Sequence, residues 1–139
     1  MNESVRQILG LRSKVTNLLD LASNIERGLP ANAIDRVKEV LALADLQVSS
    51  ALGISAKTMG RLRKSRRRLS TPVGDRLYRL AHTFALAREV FENDDLAREW
   101  LRTPQIGLNN CAPLAFMATE AGARAVEDLL SRIEYGILS

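Results

Sequence analysis

The 139-residue chain is 46% apolar but only 4% aromatic, which fits an aliphatic core for one average domain, or two small ones sharing it. One cysteine and one histidine exclude an intramolecular disulfide and a four-ligand structural zinc site within the chain, and no apolar run of about 18 residues offers a membrane span. The net charge of +4 is segregated: residues 1–54 are neutral, residues 55–82 hold nine Lys/Arg against Asp75 alone, and residues 83–139 are net −4.

Leu, Ala, Arg and Glu dominate and β-branched residues are few, so the fold expected is all-α. Val5, Ile8 and Leu9 mark a short first element reaching Leu11, interrupted at Gly10. Leu18, Leu19 and Ile25 mark a helix from about Thr16 to Arg27, closed by Gly28 and Pro30. Ile34, Val37, Val40 and Leu41 place the next helix over about Asn32 to Ala44. Asp45 is the expected N-cap of a short helix over Leu46–Leu52. Gly53 ends it, and Ser55 caps a helix over Ala56–Lys64.

After Ser70, Thr71 and Pro72, the stripe Val73, Leu77, Leu80, Ala81, Phe84, Ala87 and Phe91 predicts a helix sustained for five turns. Asp94 or Asp95 caps a helix running to about Arg102, ended by Thr103 and Pro104. Gly107 to Asn110 reads as a loop and Pro113 opens a short helical turn. Thr119 caps a last helix with Gly122, Val126, Leu129, Leu130 and Ile133 inward and Gly136 at its end. Cys111 is expected as a small buried hydrophobe. His82 is expected on the rim of the long helix without a relay partner, and Trp100 and Leu101 as ordinary core.

Asp45 to Lys64 has the spacing of a helix-turn-helix. Val48 and Leu52 serve the first helix, Ile54 the turn, and Met59 and Leu62 the second. Ser49 is small enough for close packing, and Gly53 supplies the positive φ of the turn. With Met59 and Leu62 inward, Ser55, Lys57, Thr58, Arg61 and Lys64 form the opposite face. Arg or Lys there can donate to guanine O6 and N7 in a major groove, and Ser or Thr offers adaptable hydrogen bonds. Gly60 serves either a close approach to the DNA backbone or a tight helix contact.

Arg66, Arg67 and Arg68 in the following loop suit phosphates better than bases. Arg76 and Arg79, on the polar side of the long helix, either extend that phosphate track or serve a second partner. A basic block beside an acidic one points to one nucleic-acid and one protein partner. One such head contacts few base pairs, so a palindromic operator and a homodimer are expected. A second apolar line, Thr83, Leu86 and Val90, is either the dimer interface or a surface covered by the terminal helices.

Several segments together resemble the Xre–MbcA–ParS antitoxins. They are Leu52 to Ser55, Lys57 to Met59 with Arg61, Leu69 and Ser70, and Asp75 to Ala81. The C-terminal ones are Trp100 to Pro104, Pro113 and Leu114, Thr119 to Ala123, Val126 to Leu130, and Arg132, Ile133, Glu134, Tyr135 and Gly136. The resemblance covers roughly residues 30–139. It implies an N-terminal helical extension (1–30), an Xre-like helix-turn-helix domain (31–92) and a helical toxin-binding module (93–139).

The resemblance also implies an antitoxin that covers the active-site cleft of a RES-type, NAD-attacking toxin and represses its own operon. The residues it places against the toxin are Arg132, Glu134 and Tyr135 with the tail Ile137, Leu138 and Ser139. Where the family has Pro-Asn and a Leu-Gly-Gly loop, this chain has Pro104, Gln105 and Leu108, Asn109, Asn110. Asn tolerates positive φ, so the loop shape is expected to survive.

Two rival classes are a transcription factor with no toxin partner and an enzyme. One His, one Cys and no phosphate-cradling glycine loop leave no pKa-matched constellation for side-chain catalysis. No catalytic residue, metal or cofactor is therefore expected. Residues 1–4 lack a signal-peptide core, and a cytoplasmic protein is expected.

Overall fold

The computed structural model describes residues 3–12 and 14–136; the predicted contacts at Ile137, Leu138 and Ser139 lie outside them. The described residues form eight α-helices and two 3-10 turns: α1 (Glu3–Leu9), α2 (Leu18–Arg27), α3 (Asn32–Leu41), α4 (Asp45–Leu52), α5 (Ala56–Ser65), α6 (Thr71–Phe91), α7 (Asp94–Arg102), the turns Ile106–Leu108 and Pro113–Phe116, and α8 (Glu120–Glu134).

The spine is α6, with α1, α2, α3, α4, α7 and α8 all packed against it. It begins where the Ser70 side chain accepts from the Val73 N–H with Pro72 in the first turn, an arrangement that satisfies an orphan donor and removes another. Its stripe Val73, Leu77, Leu80, Ala81, Phe84 and Ala87 is buried, and Phe91 lies half-buried against Trp100 with ring centroids 5.8 Å apart. Trp100 and Leu101 are core, as expected. Of the line Thr83, Leu86 and Val90, Thr83 is fully buried, while Leu86 and Val90 are half-buried and line a groove with Glu127, Leu130 and Ser131 of α8.

Three helix ends depart from the sequence pattern, each because of a partner distant in sequence or a neighbouring residue. α3 stops at Leu41, since Ala42 takes a left-handed φ of 54° and Leu43 N–H donates back to Lys38 O at 3.0 Å. The exposed carbonyls are met from α7, where Arg98 Nε donates to Val40 O (2.7 Å) and Arg102 to Ala42 O (3.1 Å). At α4 the N-cap position belongs to Ala44, whose N–H donates to the Gln47 carboxamide at 2.8 Å. Asp45, one residue later, is free to pair with Lys38 and Arg63. At α7 the cap is Asn93, which accepts from Leu96 N–H at 2.9 Å, while Asp95 pairs with Arg98 at 2.8 Å.

On α2 the inward residues are Leu21 and Ile25, and Leu18 and Leu19 are exposed, against the expected pattern. α1 is held to the spine by an Arg88–Ser4 hydrogen bond. Among the described residues no helix is long and apolar enough to cross a membrane.

Candidate nucleic-acid and toxin-binding surfaces

The helix pair α4–α5 forms as its small core predicts. Val48, Leu52 and Met59 are buried, Ile54 and Leu62 are half-buried, and Ser49 is buried with its hydroxyl donating to Leu46 O. Gly53 closes α4 at φ 67° and the Arg76 guanidinium lies over it, donating to Leu52 O at 3.3 Å. A side chain there would be strained by the backbone alone.

The second helix, α5, packs mainly on α4 and α3, which leaves much of its surface to solvent. Its orientation is fixed by Arg63, which pairs with Asp35 at 2.5 Å and Asp45 at 3.0 Å. Asp45 also meets Lys38 at 3.0 Å. The Lys38 hydrogen bond, helped by both cations' charge, holds the Asp45 carboxyl below its ordinary range. Arg63 is thus a strut rather than a reader.

The remaining cations of the head face outward. Lys57, Arg61 and Lys64 are exposed at i, i+4 and i+7 on α5, and Arg66 and Arg67 are exposed beyond its end. None of the five has an acidic partner among the described residues. Ser55 accepts from Thr58 N–H at 3.0 Å and donates to Thr58 Oγ1 at 2.9 Å. Its hydroxyl caps the helix, and Thr58 stands half-buried beside it. Gly60 sits among Lys57, Arg61 and Lys64, and a Cβ added there would meet nothing within 4 Å. No helix contact requires this glycine.

The rest of the basic block also bonds within the chain. Arg68 Nη1 donates to Gly28 O at 2.8 Å, and its backbone bridges to Pro30. Arg79 is 13% exposed, donates to Met117 O at 3.1 Å, and pairs with Asp75 (3.3 Å) and Glu120 (3.7 Å). With Arg76 over Gly53, one turn of α6 grips the helix-turn-helix and the C-terminal module at once.

In that module, the turn at 106–108 is closed by Gln105 N–H donating to Cys111 O at 3.1 Å. Asn109 and Asn110 adopt φ of 56° and 61°, so the loop does use asparagine where glycine is the usual choice. Cys111 is exposed rather than buried, because the backbone bridge turns its side chain outward; its thiol donates to Asn109 O at 3.6 Å. His82 is half-buried on the rim of α6, but it has a partner, Glu127 on α8 at 3.4 Å, and stacks on Tyr78 at 5.5 Å. Burial, then the charges of Glu127, Asp75 and Glu120, push the Tyr78 phenol above its usual value.

α8 is capped by Thr119, which accepts from Gly122 N–H at 3.0 Å. Gly122 is required by close approach, since a Cβ would run into the Phe116 carbonyl. Ala123, Val126 and Leu130 face the core, while Arg132, Glu134 and Tyr135 are exposed at the helix end, Tyr135 by 75%. Ile106, 90% exposed on the neighbouring turn, was not singled out in the sequence. Its apolar type fits a core turn equally well.

Residues 20–82 match the family described as the antitoxin Xre-like helix-turn-helix domain, and residues 86–136 that of the antitoxin Xre/MbcA/ParS C-terminal toxin-binding domain. Both matched domains are those of the Xre–MbcA–ParS antitoxins. The antitoxin is 28% identical over 120 residues to Antitoxin Xre of Yersinia enterocolitica, an alignment covering 86% of this chain and 81% of the relative. It is 27% identical over 116 residues to that of Photorhabdus laumondii, covering 83% and 78%. Its fold is shared with a chain of the M. tuberculosis MbcT–MbcA toxin–antitoxin complex, at a TM-score of 0.57 and 20% identity over 89% of this chain and all of that one. An all-helical antitoxin with a helix-turn-helix head and a toxin-binding module is what these likenesses and the helices describe.

Proposed function

We propose that this antitoxin neutralises a RES-type, NAD-degrading toxin by covering its active-site cleft, and represses its own operon by binding a palindromic operator as a homodimer. The observation that carries the reading is the separation of two exposed surfaces. Lys57, Arg61 and Lys64, with Arg66 and Arg67, have no acidic partners among the described residues and lie on and beyond a helix packed mainly on α3 and α4. Arg132, Glu134 and Tyr135 are exposed at the end of the helix that closes the toxin-binding domain. Lys57, Thr58 and Arg61 read bases, Ser55 orders the helix entering the groove, and Lys64, Arg66 and Arg67 hold phosphates. Arg68, tied to Gly28, holds the loop and adds its charge to the same track. The tail Ile137, Leu138 and Ser139 completes the toxin contact.

Co-expression tests the toxin half. A RES-type toxin encoded in the adjacent reading frame should deplete cellular NAD and stop growth, and this chain should restore both and co-purify with it. Depletion that persists with the antitoxin present at equal abundance would refute neutralisation and favour a regulator without a toxin partner.

The DNA half is tested by salt. The four phosphate-holding cations Lys64, Arg66, Arg67 and Arg68 give each head a log–log slope of affinity against salt near −3.6, at about −0.9 per contact. A flat curve would sink it.

Gly60→Ala separates stability from function at the same surface. Alanine in an open helix interior should stabilise the fold by about 0.5–1 kcal/mol, read as a higher melting temperature. The added methyl stands on the DNA-facing side, so duplex affinity should fall. Unchanged affinity would mean that the DNA backbone does not approach position 60.

A further inference from the structure

Beyond the end of α5 the cationic surface does not stop. Arg68 lines a groove together with Arg12, Lys14, Asn24 and Arg27, contributed by the loop after α1 and by the last turn of α2. No carboxylate lines it. Asp20 and Glu26 line an adjoining depression that shares Lys14, Val15, Asn24 and Arg27 with the groove. Arg12, Lys14 and Arg27 are exposed and have no acidic partner among the described residues.

The groove is fixed to the head. Leu69 N–H donates to Leu29 O at 2.8 Å, Arg68 donates to Gly28 O, and the Pro30–Arg68 bridge lies between them. Gly28, at φ 100°, has no room for a Cβ against Arg68, so the loop after α5 lies flush on the end of α2. The exposed cations Lys57, Arg61 and Lys64 lie on α5, and the exposed Arg66 and Arg67 follow it in the chain, directly before Arg68.

We infer that this groove is a second phosphate-binding track, which takes the DNA backbone flanking the segment that α5 reads. The inference rests on the DNA-binding reading of α5 and adds to it a contact made by the N-terminal extension. Three reasons favour a nucleic-acid backbone over a small anion. Arg68 joins the groove to the exposed Arg66 and Arg67 that follow the reading helix, the groove is open to solvent, and its donors come from three separate chain segments, as extended phosphate contacts require. The track contributes affinity without sequence preference, because no base edge is in reach of a phosphate contact.

The test uses the full chain and a mixed-sequence duplex, with binding followed by fluorescence anisotropy across a salt series. The triple variant R12Q/K14Q/R27Q should shallow the slope by about 0.9 for each contact removed and weaken binding severalfold at low salt. Its melting temperature should hold, since all three residues are exposed. The single charge reversal K14E should move affinity in the same direction. The comparator R61Q/K64Q should also weaken binding. A triple variant that matches the unaltered chain while the comparator loses affinity would overturn the groove and leave the head standing. Failure of the unaltered chain to bind any duplex would overturn the head and the groove together.

Discussion

Truncation after Ser131 should abolish neutralisation of the toxin and leave duplex binding intact. The cut falls just past the last fully buried residue of α8, Leu130. Of the described residues it removes Ile133, half-buried, and Arg132, Glu134, Tyr135 and Gly136, which are exposed. Losing part of one isoleucine's burial costs about 1 kcal/mol, too little to unfold a domain whose spine is untouched. The toxin contact should suffer far more. Exposed Tyr and Arg are the side chains that most often anchor interfaces, at about 2 kcal/mol or more each, which is roughly thirtyfold in affinity. Tyr135→Ala alone should therefore lower toxin affinity by at least that factor, measured by titration calorimetry on the purified pair. If truncation removes neutralisation and DNA binding in parallel, the segment is core, and the toxin is held elsewhere. The exposed Ile106 turn is then the next surface to mutate.

How far the sequence foretold this arrangement depends on the range of the interactions involved. The helix-turn-helix was legible because its determinants are local: Val48, Leu52, Met59, the small Ser49 and the positive-φ Gly53 lie within one short segment. The same holds for the caps Ser55 and Thr119, each of which meets an N–H three residues on. What the sequence hid is what distant residues decide. The end of α3 is capped by arginines some sixty positions away, and no glycine announces the left-handed Ala42. Nine cations against one acid mark a nucleic-acid face but do not say which of them stay unpaired. Arg63, Arg76 and Arg79 are bound to acids or carbonyls, and only three-dimensional pairing reveals which charges are free. The same pairing works in the other direction for Arg12, Lys14 and Arg27, which lay in a segment of zero net charge and yet share a groove with Arg68. His82 found Glu127 across a helix interface that no sequence spacing encodes.

Phe84→Ala should lower stability by about 3–5 kcal/mol, the usual cost of deleting a buried phenyl ring. Phe84 is fully buried at the middle of α6, and two guanidinium groups lie over its ring, Arg88 at 5.1 Å and Arg98 at 5.9 Å. These two arginines also hold other elements: Arg88 meets Ser4 of α1, and Arg98 donates to Val40 O at the end of α3. Removing the ring opens a cavity and withdraws the surface that positions both cations. At this chain length the loss corresponds to a fall in melting temperature on the order of 10–20 °C, followed by circular dichroism. Because α6 packs against helices of the reading head and of the toxin-binding module alike, DNA binding and toxin neutralisation should fail over the same temperature interval. That joint loss distinguishes a spine residue from the surface residues at either end, where Arg61 should affect DNA alone and Tyr135 the toxin alone. A variant that melts in two steps, retaining duplex binding after neutralisation is lost, would show that the head folds without the spine's central turn.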